Sequence, residues 1–300
     1  MQARVVSEAG LARKTHHLAL DLLELTKPRI TLLVLITTLT GMWLAAKGEL
    51  PLPLTLFTLL GMGLAVASAS TLNNYFDRDV DALMPRTQRR ALPAGRVKPA
   101  WALILGAALG VLSFVVLAIL VNLLSAVLAL GANLYYIAIY TCWLKRTTPH
   151  CTVLGGAAGA LPPVIGWAAV TNRISLEALV LFGILFIWQP PHFWALALGR
   201  RDEYARAGLP MLPVVRGEAA TKRQILLYSI ALVPISPLLY PLGLAGPIYA
   251  GVAVALSTGF ILLAAFVQNR AETPWAKHLF FYSLFYLAAL FLALVLDCRC

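Results

Sequence analysis

Nine apolar runs divide the chain, over residues 30–46, 54–72, 100–120, 123–142, 153–170, 178–198, 224–242, 247–268 and 279–296. Short polar or proline- and glycine-bearing stretches separate them, and apolar and polar residues do not alternate within them. Alternation would mark a lipid-facing barrel strand. Unbroken runs mark helices that satisfy their own backbone groups while crossing a hydrocarbon layer about 30 Å thick. The pattern predicts an all-α, polytopic membrane protein with about nine transmembrane helices. The first run is short, and Pro234, Pro237 and Pro241 make the seventh the least regular.

Composition agrees with this pattern. The 300 residues are 60% hydrophobic and 12% charged, about half the charged fraction of a soluble domain. The expected division is an N-terminal segment 1–29, a membrane domain 30–297 and a tail 298–300. Asp21 and Glu24 interrupt the one apolar patch of the first segment, and no small-residue cleavage site follows. An interfacial helix therefore suits it better than a secretory signal.

With the N-terminus in the cytoplasm, 21 of the 24 lysines and arginines fall on one side, leaving Lys47, Arg173 and Arg299 on the other. That asymmetry orients the chain in a cell (inner) membrane, N-terminus inside and C-terminus outside. It also accounts for most of the net charge of +11, and no nucleic-acid motif accompanies that charge. Cys142, Cys151, Cys298 and Cys300 have no metal-ligand spacing; Cys298 and Cys300 fall on the outer face, where oxidation is open to them.

The charged stretches at the inner ends of the runs carry the chemistry. NNYFDRDVDALMPRTQRR, 73–90, leaves the second run with three aspartates and four arginines. Asn73, Asp77 and Asp81 recur every four residues, one stripe of a helix that continues past the membrane surface. Stacked carboxylates repel unless a cation lies between them, and Mg²⁺ takes one or two carboxylates together with substrate phosphates. Asp79 falls off that stripe. Arg86, Arg89 and Arg90 follow, and guanidinium forks match phosphate oxygens; for Arg89, Arg96 and Lys98 the topology rule alone is sufficient reason.

A second stretch, GRRDEYARAGLPMLPVVRG at 199–217, again joins acids (Asp202, Glu203) to arginines (Arg200, Arg201, Arg206). It follows the sixth run, four spans after the first stretch, so both face one compartment. This spacing suggests two four-helix halves plus one helix around a central cavity open to the cytoplasmic side. Two such loops would hold metal ions around a diphosphate, and the bilayer would bury a greasy tail such as an isoprenyl chain. Tyr75, Phe76, Tyr135, Tyr136, Tyr140, Trp188, Phe193 and Trp194 offer aromatic faces for an allylic cation, or serve as ordinary packing.

These stretches resemble the UbiA-type intramembrane prenyltransferases, in particular the branch that farnesylates protoheme. The similarity extends to TKPRI at 26–30, YTCWLKRTTPH at 140–150, GGAAGALPPVIGW at 155–167, WQPPHFWALAL at 188–198 and AGLPMLPVVRG at 207–217. The resemblance implies Mg²⁺ as cofactor, with Asn73, Asp77, Asp81, Asp202 and Glu203 as its ligand set. It makes Asp77, Asp81 and Lys145 catalytic, and gives Arg86, Arg90, Lys145, Arg146 and Arg201 to the diphosphate. Farnesyl diphosphate and heme B are the implied substrates and heme O the product, with a heme A synthesis or heme-oxidase assembly partner downstream. The chain departs from the family at Asn74, at Ala91 after Arg90, and in the order Asp202-Glu203-Tyr204, which leaves open which of those acids reaches metal.

His192 stands inside the sixth run, where a histidine is costly. It either ligates heme iron or orders a water, with Gln189 one turn away, or it satisfies a carbonyl freed by Pro190-Pro191. Pro162, Pro163, Gly155, Gly156 and Gly159 either admit a ligand close to the backbone or serve helix packing. An aromatic quinone precursor or a chlorophyll-like ring is an alternative acceptor. A divalent-cation transporter is an alternative of another class, but it calls for acids near the membrane midplane, which the runs lack.

Overall fold

A computed structural model describes residues 18–268, 270 and 274–299, with the backbone alone at Pro274. Arg4, Arg13, Lys14, His16, His17, Cys300 and most of the N-terminal segment lie outside the described residues. The described part of that segment is helical over 18–25 (α1), with Leu18, Leu20 and Leu23 exposed and Leu25 buried. Arg96 ties α1 down by bonding Asp21 at 2.9 Å and Glu24 at 3.0 Å.

The remaining helices run in chain order. They are α2 (Pro28–Ala45), α3 (Leu52–Phe76), α4 (Arg78–Ala82), α5 (Pro99–Leu120) and α6 (Leu123–Leu134), which passes into a π-helix (Tyr135–Leu144) and then α7 (Lys145–Thr147). Next come α8 (Cys151–Ala160), α9 (Pro162–Thr171), α10 (Leu176–Leu198), α11 (Arg201–Arg206), α12 (Leu212–Val215), α13 (Gly217–Ile235) with a 3₁₀ turn (Ser236–Leu239), α14 (Pro247–Val267) and α15 (Pro274–Leu296). Among the described residues eight of these spans are long and apolar enough to cross a membrane, counting α6 to α7 and α8 to α9 as one each. α13 is the ninth. It is less apolar than the others because it starts at Gly217, well before the expected 224, and its first turns carry charge. There Lys222 pairs with Glu218 at 2.7 Å and also donates to the Arg270 carbonyl.

The first four spans pack mutually around Met62, Ala65, Leu117, Ala126 and Ala129. α8, α9, α10, α13, α14 and α15 share a second, larger core that includes Leu181, Ile184, Tyr249, Phe260 and Tyr286. The two groups meet most closely where α2 crosses α9. A Cβ on Gly41 would overlap the Pro163 carbonyl, and one on Gly166 would overlap the Thr38 carbonyl. Backbone lies on the far side of both contacts, so neither can yield cheaply. Gly166→Leu is therefore expected to lower the thermal midpoint of the detergent-solubilised protein, with an overpacking penalty of about 1–3 kcal/mol. Gly131→Ala, inside α6 where an added Cβ meets nothing within 4 Å, should not lower it.

Candidate functional site

α3 ends at Phe76, and Asp77 then takes φ −90° and ψ 0°, breaking the expected continuous helix. The four-residue ladder nevertheless passes through the break. Asp77 N–H donates to the Asn73 carbonyl at 2.9 Å, and Asp81 N–H donates to that of Asp77 at 2.7 Å. Asn73, Asp77 and Asp81 consequently share one face, and all three are buried. Asp79 turns outward and takes both Arg146 guanidinium nitrogens at 2.8 Å. That hydrogen-bonded guanidinium holds its carboxyl down to about 2.

Each buried acid meets a cation. Lys145 Nζ lies 2.6 Å from Asp77 Oδ2, which also accepts from Asn73 Nδ2 at 2.7 Å. Arg90 Nη1 reaches Asp81 Oδ2 at 2.7 Å and Asn74 Oδ1 at 3.4 Å. Lys27, in a left-handed conformation before Pro28, donates to Asn73 Oδ1 at 2.9 Å. Burial, and then the Arg90 charge, pull the Lys27 ammonium down to about 8. Sequence reasoning gave Lys27 no role, although TKPRI contained it.

The π-helix brings the fourth span to this face. Thr141 accepts from Asn73 Nδ2 at 3.2 Å, and its own hydroxyl donates back to the Tyr136 carbonyl at 2.9 Å. The rings of Tyr136 and Tyr140 stack with centroids 5.3 Å apart. The wider π turn puts Tyr136, Thr141 and Lys145 on one side of the span, and such segments recur at functional sites. Tyr135 turns away and donates to the Leu154 carbonyl. Gly155 admits the Tyr140 ring and Gly159 the Gln189 side chain, so both serve helix packing here.

An apolar seam joins the two charged loops. Val80 and Met84 from the first pack with Ala207, Leu209 and Met211 from the second, over Leu144 and Cys151, with Tyr140 and Tyr204 against them. Arg86 is solvent-exposed and near enough to both loops to feel their charges. Partial burial first, then the Arg200 and Arg90 charges, hold its guanidinium below the ordinary value, while Tyr204 and Glu203 pull it up. In α11 the adjacent acids diverge: Arg201 and Asp202 are exposed, and Glu203 is partly buried.

Among the described residues no three His, Cys, Asp or Glu side chains cluster as a metal site. Mg²⁺ does not need three, because phosphate and water complete its shell. Two carboxylate oxygens, Asp77 Oδ1 and Glu203 Oε2, are buried without a hydrogen-bond partner. Arg146 Nη2 stands 3.9 Å from the first, beyond hydrogen-bond reach. Unpaired anionic oxygens are costly in such surroundings, and they have the hard-donor chemistry of Mg²⁺ ligands. The chemistry of these donors fits the ion.

The sequence profile of the UbiA prenyltransferase family matches residues 34–285. Over 279 residues the chain is 51% identical to the protoheme IX farnesyltransferase of Symbiobacterium thermophilum, covering 92% of this chain and 93% of that one. It is 52% identical to the protein of the same name from Gloeobacter violaceus, over 92% and 91%. Among solved structures, a digeranylgeranylglyceryl phosphate synthase superposes with a TM-score of 0.79 at 18% identity, over 92% of this chain and 97% of that one. A UbiA homologue from Archaeoglobus fulgidus bound to DMAPP and Mg²⁺ gives 0.65 at 19%, over 91% and 99%. At such identities these structures establish the fold alone.

Proposed function

Because the chain belongs to the UbiA prenyltransferase family, we propose that it transfers the farnesyl group of farnesyl diphosphate to a vinyl group of protoheme IX, giving heme O and diphosphate. The acceptor is taken from the names of relatives that share half their residues with it. The observation that carries the reading is the buried Asn73-Asp77-Asp81 face, matched to basic partners and joined by the apolar seam to the Glu203 loop. Such a site suits a charged headgroup whose hydrocarbon lies between helices.

Asp77 and Glu203 would hold Mg²⁺, with Asn73 and Asp81 beside them; when bound, the ion neutralises charge developing on the departing diphosphate. Lys145, Arg90 and Arg146 exchange their present partners for phosphate oxygens, and Arg86 joins them in orienting the headgroup. As the farnesyl C1–O bond breaks, the vinyl π-bond forms the new carbon–carbon bond. Water adds to the resulting cation and releases a proton to solvent. The stacked Tyr136–Tyr140 pair presents π-faces to the allylic cation, and the surrounding apolar helices exclude water until the new bond has formed. Arg201 and Asp202, on the exposed face of α11, act at most on the approaching headgroup.

The charge asymmetry supports an inner-membrane location with the N-terminus cytoplasmic. The product then passes to a heme A synthesis step or to heme-oxidase assembly. The test is incubation of purified protein with protoheme, farnesyl diphosphate and Mg²⁺, followed by mass analysis of the heme. Heme heavier by one farnesyl group and one hydroxyl group is expected. A chelator should abolish the product, and added Mg²⁺ should restore it. Unchanged heme beside a prenylated phenolic acid would move the chain to a different acceptor.

A further inference from the structure

His192 lies six residues before the end of α10, about 9 Å up the helix at 1.5 Å per residue. Its ring is clamped between Trp188, stacked at 4.6 Å, and Phe280, stacked at 4.7 Å, with Phe193 edge-on at 5.1 Å. Among the described residues His192 makes no bond to a carbonyl freed by Pro190-Pro191, one of the alternatives its sequence left open. Nδ1 instead lies 2.7 Å from the hydroxyl of Ser283 on α15. Trp188 pins the same residue, donating its indole N–H to the Ser283 carbonyl at 2.8 Å.

The Ser283 hydroxyl decides where the imidazole proton sits. A hydroxyl has one hydrogen, and that of Ser283 goes to the Phe280 carbonyl at 2.6 Å. Ser283 Oγ must therefore accept from His192, which puts the proton on Nδ1 and leaves a bare lone pair on Nε2. Among the described residues nothing hydrogen-bonds Nε2, and the residue keeps 9% exposure, so this lone pair is the one polar group of the ring left for an incoming ligand.

A neutral imidazole with its tautomer fixed by a second residue and its ring immobilised between aromatics has the donor chemistry of a metal ligand. We infer that His192 binds the iron of a metalloporphyrin acceptor through Nε2, with Ser283 as the positioning residue that sets its tautomer. This rests on the reading of heme as acceptor. Ligation here fixes the porphyrin one to two helical turns above the charged loops, on the helix that leads into the Glu203 loop.

The test is titration of ferric protoheme into the full-length protein in lipid nanodiscs, followed by absorption and electron paramagnetic resonance. The wild type should give an imidazole-ligated spectrum. His192→Ala and His192→Gln should both lose it, with at least tenfold weaker binding, and free imidazole should restore it to the alanine variant. Ser283→Ala should weaken binding about tenfold, in the range for residues that orient a metal-bound histidine, and Ser283→Thr should not. Mass analysis of heme turnover runs in parallel. Unaltered spectra in both histidine variants, with a wild type that still farnesylates heme, would overturn the ligand assignment and leave the proposed reaction standing. A wild type that neither binds nor modifies heme would overturn both.

Discussion

Asp77→Asn is expected to abolish farnesyl transfer, by a factor on the order of 10²–10³ or more, while the protein still inserts into the membrane. The substitution keeps the size of the side chain and removes its charge. Asp77 accepts from Lys145 at 2.6 Å and from Asn73 at 2.7 Å, and its second oxygen is the buried orphan. Loss of one preorganised electrostatic contact at a charge-developing centre has this magnitude. Insertion depends on the apolar spans and the lysine–arginine asymmetry, which the change leaves intact.

A second consequence follows from the ion pair. Lys145 is left nearly buried without its carboxylate, and breaking a buried pair costs about 3–5 kcal/mol, less where water reaches it. The double variant Asp77→Asn/Lys145→Met removes both charges. It should recover thermal stability without recovering turnover, which separates the chemical role of Asp77 from its structural one.

Glu203→Gln should cost about a hundredfold in turnover and raise the Mg²⁺ concentration for half-maximal rate, whereas Asp202→Asn should change either quantity less than about threefold. The two acids are neighbours in sequence and opposites in environment. Asp202 is exposed, while Glu203 is partly buried with Oε2 unpartnered. Mg²⁺ titration of the initial rate distinguishes them; the reverse pattern would assign the metal to the outward-facing residue and undo the choice between them.

That choice was not legible in the chain, and the reason is physical. The order Asp202-Glu203-Tyr204 offers two carboxylates on a six-residue helix, and only the pose of α11 against the seam makes one of them inward. The spans themselves were legible because each apolar run exceeds what a soluble core helix needs. The seventh was misplaced at its start, since the Glu218–Lys222 pair extends α13 through polar turns that hydropathy does not count. The acid row was legible from its four-residue spacing, although the helix break at Asp77 was not.

Lys27 and Thr141 were missed for a different reason. Their partner, Asn73, is 46 and 68 residues away, and no local pattern reports such a contact. The π-helix is equally silent, because it depends on the register of a whole span. His192 was visible as a costly residue in lipid, but its tautomer depends on Ser283, 91 residues away.

Everything proposed for the reaction depends on the two loops closing on one headgroup. The most direct measurement is an experimental structure of the protein with Mn²⁺ in place of Mg²⁺ and an uncleavable thio-analogue of farnesyl diphosphate. The expected result is a Mn²⁺ anomalous peak touching both Asp77 Oδ1 and Glu203 Oε2, with Lys145 and Arg90 moved onto phosphate oxygens. A diphosphate bound elsewhere, with Lys145 still on Asp77 and no metal at either carboxylate, would contradict the account.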